Sequence, residues 1–227
     1  MISGEAEAGV IAIDGPAGAG KSTVARMLAR RLRYLYLDSG AMYRAVAVRA
    51  EREGVDPEDE AALEKLCRDL RICFRLVGDT QQVICQGEDV TPAIRRPEVG
   101  WLASKVSLKR PVREAMARLQ REIGRRGGVV AEGRDMGTVV FPQARFKFFL
   151  TASPEERARR RFADLRDRGY EVPLEKVAAE TRARDEQDST RELAPLRPAE
   201  DARPIDSTGL TPEEVVEKMV AAMESAF

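Results

Sequence analysis

Gly15-Pro16-Ala17-Gly18-Ala19-Gly20-Lys21-Ser22 sets glycine at the first and sixth positions of a short run and follows it directly with Lys and Ser. That spacing is a phosphate-binding loop, and each residue type in it has a physical reason. Glycines let successive backbone N–H groups curl around a polyphosphate, the Lys21 ammonium neutralises its outer charge, and the Ser22 hydroxyl is a ligand for Mg²⁺. Such a loop needs a strand before it and a helix after it, so it constrains the fold as well as the ligand. Val10-Ile11-Ala12-Ile13-Asp14 reads as a short buried parallel strand running into the loop. Val24, Met27, Leu28 and Leu32 follow at helical spacing, placing the loop at a helix N-terminus where the dipole favours anions. Gly15, Pro16, Ala17, Gly18, Ala19, Gly20, Lys21, Ser22 and Thr23 are therefore the expected residues for binding a nucleoside triphosphate.

The same alternation continues along the chain. Tyr34-Leu35-Tyr36-Leu37, Gly128-Val129-Val130-Ala131, Phe146-Lys147-Phe148-Phe149-Leu150 and Pro204-Ile205-Asp206 read as further parallel strands, separated by amphipathic helical stretches. Asp56-Pro57-Glu58 reads as a helix start, Ser153 with Glu156 as a capping box, and Thr211-Pro212 as the cap of the last helix. Between about Arg71 and Thr91 the texture changes: Ile72–Val77, the turn Gly78-Asp79 and Gln82-Val83-Ile84-Cys85 read as an antiparallel hairpin. The expected fold is α/β: a three-layer, P-loop NTPase-type parallel sheet with flanking helices, plus a small antiparallel insertion and an Arg-rich helical lid. One domain is expected over residues 1–227, with an inserted lobe at about 66–108, a lid at about 154–173 and an acidic tail at 1–9. In such sheets ligands bind beyond the carboxyl ends of the strands, which here carry Asp14, Asp38-Ser39, Glu132-Gly133-Arg134-Asp135, Thr151 and Asp206-Ser207-Thr208.

Composition removes several function classes. The 38 basic and 38 acidic residues cancel, so the chain has no net attraction for nucleic acid or an acidic membrane. No stretch approaches the roughly eighteen apolar residues of a membrane span, and residues 1–9 lack the basic start and apolar centre of a signal peptide. Cys67, Cys73 and Cys85 have no metal-ligand spacing and read as small buried side chains in a reducing compartment. The expectation is a soluble cytoplasmic protein. There is no His, which excludes a His general base and His-ligated zinc.

Three readings of the loop then compete. A GTPase switch needs a guanine-reading Asn-Lys-x-Asp, and no Lys here is followed two residues later by Asp. A nucleic-acid ATPase would use the runs Arg95-Arg96, Arg125-Arg126 and Arg159-Arg160-Arg161, yet runs this short are usually solvated helix faces. The third reading is a small-molecule phosphotransferase. Arg157, Arg159, Arg160, Arg161, Arg166 and Arg168 crowd one helical stretch, where like charges repel unless a polyphosphate neutralises them. A non-catalytic nucleotide sensor is the rival from outside the enzymes.

Three segments sharpen the choice: residues 15–23, Leu37-Asp38-Ser39-Gly40-Ala41-Met42-Tyr43-Arg44, and Gly133-Arg134-Asp135-Met136-Gly137-Thr138-Val139-Val140-Phe141-Pro142. Together with Glu88-Asp89-Val90, Arg110-Pro111-Val112-Arg113-Glu114 and Ile205-Asp206-Ser207-Thr208, in this order, they resemble the bacterial cytidylate kinases. The resemblance runs from about Val10 to the end and is weakest over the antiparallel insertion. It implies γ-phosphoryl transfer from Mg·ATP to CMP or dCMP by a monomer, with the insertion serving the monophosphate and no nucleic-acid or membrane partner.

Carried over residue by residue, the resemblance implies that Ser104, Arg113 and Asp135 read cytosine. Arg44 and Arg134, with Ser39 nearby, would hold the acceptor phosphate. Arg184 and Asp188 would reach the sugar, and Arg191 would join the acceptor site or the transferring phosphate. Lys21, Arg134, Arg157, Arg161 and Arg191 are the expected catalytic residues, and Asp38 or Glu132 would reach the Mg²⁺ held at Ser22 through water. Many members of the family carry Asp where this chain has Glu132, one methylene longer. The nearest enzymatic rivals are superfamily kinases of UMP, shikimate or dephospho-coenzyme A.

Overall fold

In the computed structural model of the chain, residues 9–78 and 80–225 are described; the expected tail at 1–9, apart from Gly9, and Asp79 of the expected turn lie outside them. In chain order the elements are β1 (Val10–Asp14), α1 (Lys21–Leu32), β2 (Leu35–Asp38), α2 (Ser39–Arg52), α3 (Glu60–Arg68), β3 (Ile72–Val77), β4 (Thr80–Cys85) and β5 (Glu88–Asp89). After a 3-10 turn (Ala93–Arg95) come α4 (Pro97–Val106), α5 (Arg110–Gly124) and β6 (Val129–Gly133). A π-helical turn (Met136–Val140) precedes β7 (Phe146–Thr151), α6 (Pro154–Asp167), α7 (Leu174–Thr190), β8 (Arg203–Asp206) and α8 (Pro212–Glu224). The chain divides into two compact units, Met1–Tyr36 with Arg126–Phe227, and Leu37–Arg125.

The first unit is built on a five-stranded sheet in the order β2-β6-β1-β7-β8. β1 lies parallel to β6, with Asp14 opposite Gly133, and parallel to β7, while β7 lies parallel to β8 with Thr151 opposite Asp206. The apolar strand residues Ile11, Ile13, Val130, Phe148 and Leu150 share one core with Val24 and Leu28 of α1 and Val215, Val216 and Met219 of α8. Each such large side chain taken out of water contributes about 1.5–3 kcal/mol, which fixes α1 and α8 to the sheet. Because these strands are parallel, Asp14, Gly133, Thr151 and Asp206 all end at one edge, and the loops that follow them cluster there.

The second unit has the expected hairpin, β3 against β4, extended by β5, which is too short and polar to have been legible. α2 starts where Asp38 accepts from the Ala41 amide (2.7 Å), and its Ala41, Ala45, Ala47 and Ala50 are all buried. α3 begins at Glu60, not at Pro57: Asp56 instead closes a turn by accepting from the Glu58 amide, and Asp59 caps the helix by accepting from Ala62. At α6 only half of the expected capping box forms. Ser153 accepts from the Glu156 amide, but the Glu156 carboxylate is held by Arg159 and Arg160. The box is complete at α8, between Thr211 and Glu214.

Candidate active site

Residues 15–20 turn from β1 into α1 under unusually tight packing. Gly15 has φ 149°, and a Cβ there would lie 2.0 Å from the Leu150 carbonyl oxygen of β7; at Gly18 it would lie 2.7 Å from the Arg157 carbonyl oxygen of α6. The glycines are thus required by the neighbouring backbone as well as by any phosphate. The loop is also held from β8: Ser207 Oγ donates to the Ala19 carbonyl at 3.1 Å and accepts from Arg160 Nη1 at 2.9 Å. Arg160 Nη2 in turn reaches the Ser207 carbonyl at 2.8 Å.

Lys21 opens α1 and is 5% exposed. Its Nζ donates to the Pro16 carbonyl of its own loop at 2.7 Å. Burial, and then the Arg134 guanidinium, bring its ammonium down to about 7, against the opposing pull of Glu132, Asp188 and Asp14. Lys21 therefore lies close enough to Arg134 and Asp188 to sense both charges.

Asp188, on α7, gathers the predicted arginines. It accepts from Arg134 Nε at 2.7 Å and from Arg191 Nη1 at 3.4 Å, and it is buried. Burial alone would push its carboxyl up; Arg134, Arg184 and Arg191 outweigh that and hold it below the usual carboxylate range. Burial likewise works against the Arg134 charge, and Asp188 and Glu132 more than offset it. Arg191 Nε is fixed on the Ala194 carbonyl at 2.9 Å. The sequence named these residues without the helix that carries Asp188 and Arg184. α7 buries only Val177, Thr181 and Asp188, too thin an apolar stripe to read as a helix.

The arginines of α6 separate into different environments. Arg157 is buried, donating through Nε to the Ala152 carbonyl and through Nη1 to the Ala17 carbonyl, both at 3.1 Å. It also pairs with Asp185 of α7, whose other oxygen accepts from the Ala17 amide at 3.1 Å. Arg159 and Arg160 pair with Glu156, which they draw down to about 2, while Arg161 and Arg168 pair with Asp164. The repulsion expected along this helix is therefore relieved by Glu156 and Asp164 within it and by Asp185 of α7. Arg157 is brought onto the phosphate loop and Arg161 faces Asp164. Arg160 and Asp185, which the sequence did not single out, also touch the loop.

Beyond β6, Asp135 is buried at the start of the π-helical turn. Asp14 of β1 is buried too, and accepts from the Met136 amide at 2.8 Å and the Gly137 amide at 2.7 Å. Burial pushes its carboxyl up to about 6, with Asp135 adding to the rise and the two amides and Lys21 opposing it. Glu132 accepts from the Tyr36 hydroxyl at 2.7 Å.

The other predicted residues belong to the second unit. Ser39 is buried in the first turn of α2, and Arg44 donates to Asp38 at 3.3 Å. Ser107 Oγ donates to the Ser104 carbonyl at 2.7 Å, and the buried Arg113 donates to the Ser107 carbonyl at 3.1 Å while lying over the Tyr43 ring. Ser104 and Arg113 are thereby linked through Ser107. Neither Ser107 nor Tyr43 carried a signal of its own in the sequence.

A parallel sheet whose first strand runs into a glycine-rich loop at a helix N-terminus, with Lys21 buried beside an arginine cluster, defines a P-loop phosphotransferase. The fold is shared with a gluconokinase from Sinorhizobium meliloti, at 16% identity and TM-score 0.50 over 97% of this chain and 94% of that one. A sequence model of the cytidylate kinase family matches residues 11–225. A cytidylate kinase of Citrifermentans bemidjiense is 52% identical over 95% of this chain and 92% of its own length. One of a Geobacter species is 54% identical over 92% and 90%. The chain belongs to the cytidylate kinase family.

Proposed function

We propose that this protein transfers the γ-phosphoryl group of ATP to CMP or dCMP, releasing ADP and CDP or dCDP. What carries the reading is that Lys21 of the donor loop senses the charges of Arg134 and Asp188, which are themselves paired at 2.7 Å, and this supports a second phosphate being held beside the loop. An oxygen of the acceptor phosphate forms a bond to the γ-phosphorus as the bond to the bridging oxygen of ADP breaks. The transition state is loose, so alignment and charge neutralisation supply most of the catalysis and no general base is needed. Residues 15–23 hold the ATP phosphates. Lys21, Arg134, Arg191 and the α6 arginines Arg157 and Arg161 neutralise the moving charge; Arg161 leaves Asp164 to do so.

On the acceptor, Arg44 and Arg134, with Ser39, bind the phosphate. Asp135 accepts from the cytosine amine, while Arg113 and Ser104 donate to its carbonyl and ring nitrogen. Uracil reverses donor and acceptor at that edge, which supports selection of cytosine. Arg184 and Asp188 meet the sugar. A carboxylate offers about four acceptor directions, so Asp188 has capacity for a hydroxyl besides two arginines.

Among the described residues no group of three or more Cys, Asp or Glu side chains is placed to hold a metal. Ser22, exposed on the first turn of α1, suits Mg²⁺ that arrives on phosphate oxygens and keeps its waters. Bound there, with Asp38 or Glu132 reaching it through water, the ion would neutralise phosphate charge.

We read residues 66–108 as the monophosphate-binding lobe and 154–173 as the lid, and the protein as a cytoplasmic monomer acting on free nucleotides. No helix of the described residues is long and apolar enough to cross a membrane, and the three thiols are free, Cys67 and Cys85 buried as expected but Cys73 exposed, which suits a reducing compartment. ADP release from Mg·ATP, measured with CMP, dCMP, UMP, AMP and shikimate in parallel, tests the reading. Turnover is expected with CMP and dCMP, and turnover confined to another acceptor, or to none, overturns it.

A further inference from the structure

Asp14 has no part in the chemistry just described, yet it connects both halves of it. Its backbone leads directly into Gly15, and in the parallel register it stands opposite Gly133, one residue before Arg134. Its two oxygens take the Met136 and Gly137 amides at 2.8 and 2.7 Å. These are the first amides of the π-helical turn, and first-turn amides have no acceptor within their own helix. Asp135 occupies the cap position of that turn, and Asp is among the residues best suited to capping, but its side chain makes no capping hydrogen bond.

Asp14 does the capping from the neighbouring strand. A side chain at Gly137 would crowd this contact: a Cβ there would lie 3.4 Å from Asp14 Oδ2 and 3.2 Å from Lys147 Cδ. Lys147 cannot easily yield, since its Nζ is held by the Pro142 carbonyl at 2.6 Å and by Asp201 at 2.8 Å.

We infer that Asp14 is a positioning residue for the acceptor nucleotide: by capping the turn from β1 it sets Arg134 against the acceptor phosphate and fixes where Asp135 stands toward the base. The inference rests on the proposed CMP reaction. It makes a side chain on the donor strand responsible for selectivity at the acceptor. Loss of the cap lets the turn shift, and a misplacement of about 1 Å at a positioning contact costs on the order of a hundredfold in rate.

The test is Asp14→Asn, which keeps the shape and replaces one acceptor with a donor, assayed for both substrates and for CMP against UMP. KM for CMP should rise by about tenfold or more and the CMP-over-UMP preference fall by about tenfold, with KM for ATP within about twofold of wild type. Gly137→Ala presses on the same contact without touching the carboxylate and should give the same pattern; it decides the matter if Asp14→Asn does not fold. Equal losses for ATP and CMP, or unchanged CMP affinity and base preference in a folded variant, overturn the inference. Wild type assayed alongside separates the two readings. If it fails to turn over CMP, the proposed reaction falls; if it turns CMP over and the variants are unaltered, only the role of Asp14 falls.

Discussion

The phosphate loop and the arginine cluster on Asp188 both keep cations away from water in the same unit, and they do so in opposite ways. At the loop, Lys21 has a backbone carbonyl as its hydrogen-bond partner and its ammonium is brought down to about 7, so burial is met by partial surrender of the proton. A guanidinium cannot lose its proton in a protein, and so Arg134 and Arg191 must be matched by a charge; Asp188 supplies it and is itself held ionised. The loop thus carries a cation that a phosphate would restore, whereas the cluster carries fixed cations outnumbering the carboxylate that holds them. On the proposed reading, one half of the site would respond to its anion by proton uptake and the other by exchange of partners.

That contrast can be broken first at Lys21. Lys21→Ala should reduce ADP release with CMP by about a thousandfold or more while leaving the circular dichroism spectrum intact and melting at pH 7 no lower than wild type, since the burial cost of the ammonium is removed with it; retained turnover would remove the loop from the chemistry. At the cluster the expected result is the reverse in kind. Asp188→Ala removes the charge that Arg134 and Arg191 share from a buried position and should cost about 3 kcal/mol. The melting temperature should fall by roughly 6–12 °C. Because the folded Asp188 ionises below its unfolded value, its contribution is present above the usual carboxylate range and lost as pH falls through the lowered folded value. The two melting curves should therefore converge in strong acid, and equal melting at pH 7 would mean that water screens the cluster.

A smaller effect is expected at Asp185, whose carboxylate holds the Ala17 amide and Arg157 that a phosphate would need. Asp185→Ala should tighten ATP binding by about tenfold in calorimetry; weaker binding would instead make Asp185 an organiser of the loop. The finest test counts protons. With Lys21 ionising near 7 without nucleotide and fully charged beside phosphates, Mg·ATP binding at pH 8 should take up close to one proton, and much less at pH 6. Binding heats in buffers of different ionisation enthalpy measure this, and no uptake at pH 8 would mean that Lys21 is already charged. In the free protein the same group adds stability as pH rises from about 7 toward the ordinary lysine range, because the unfolded chain there binds a proton that the folded chain has released.

The sheet was legible because parallel strands buried on both faces read as plain apolar runs, and the loop because its spacing is strict. β6 nonetheless extends through Glu132 and Gly133, since the Tyr36 hydroxyl satisfies a carboxylate that sequence alone treats as a strand end. α7 was hidden by its polarity. Among the site residues, types were legible and partners were not. Arg157 could be named from its arginine-rich stretch and Asp188 from the family resemblance, but that Asp185 reaches the Ala17 amide, or that Asp14 caps a turn 122 residues away, depends on chain crossings that no local pattern records.

Gly15 has a bearing on descent as well as chemistry. The Leu150 carbonyl forbids a side chain there whether or not any nucleotide is ever handled. A descendant that lost phosphoryl transfer but kept this sheet would still be held to glycine at 15, while position 21 became free to drift. The glycine is a record of ancestry, and the lysine a record of continuing use.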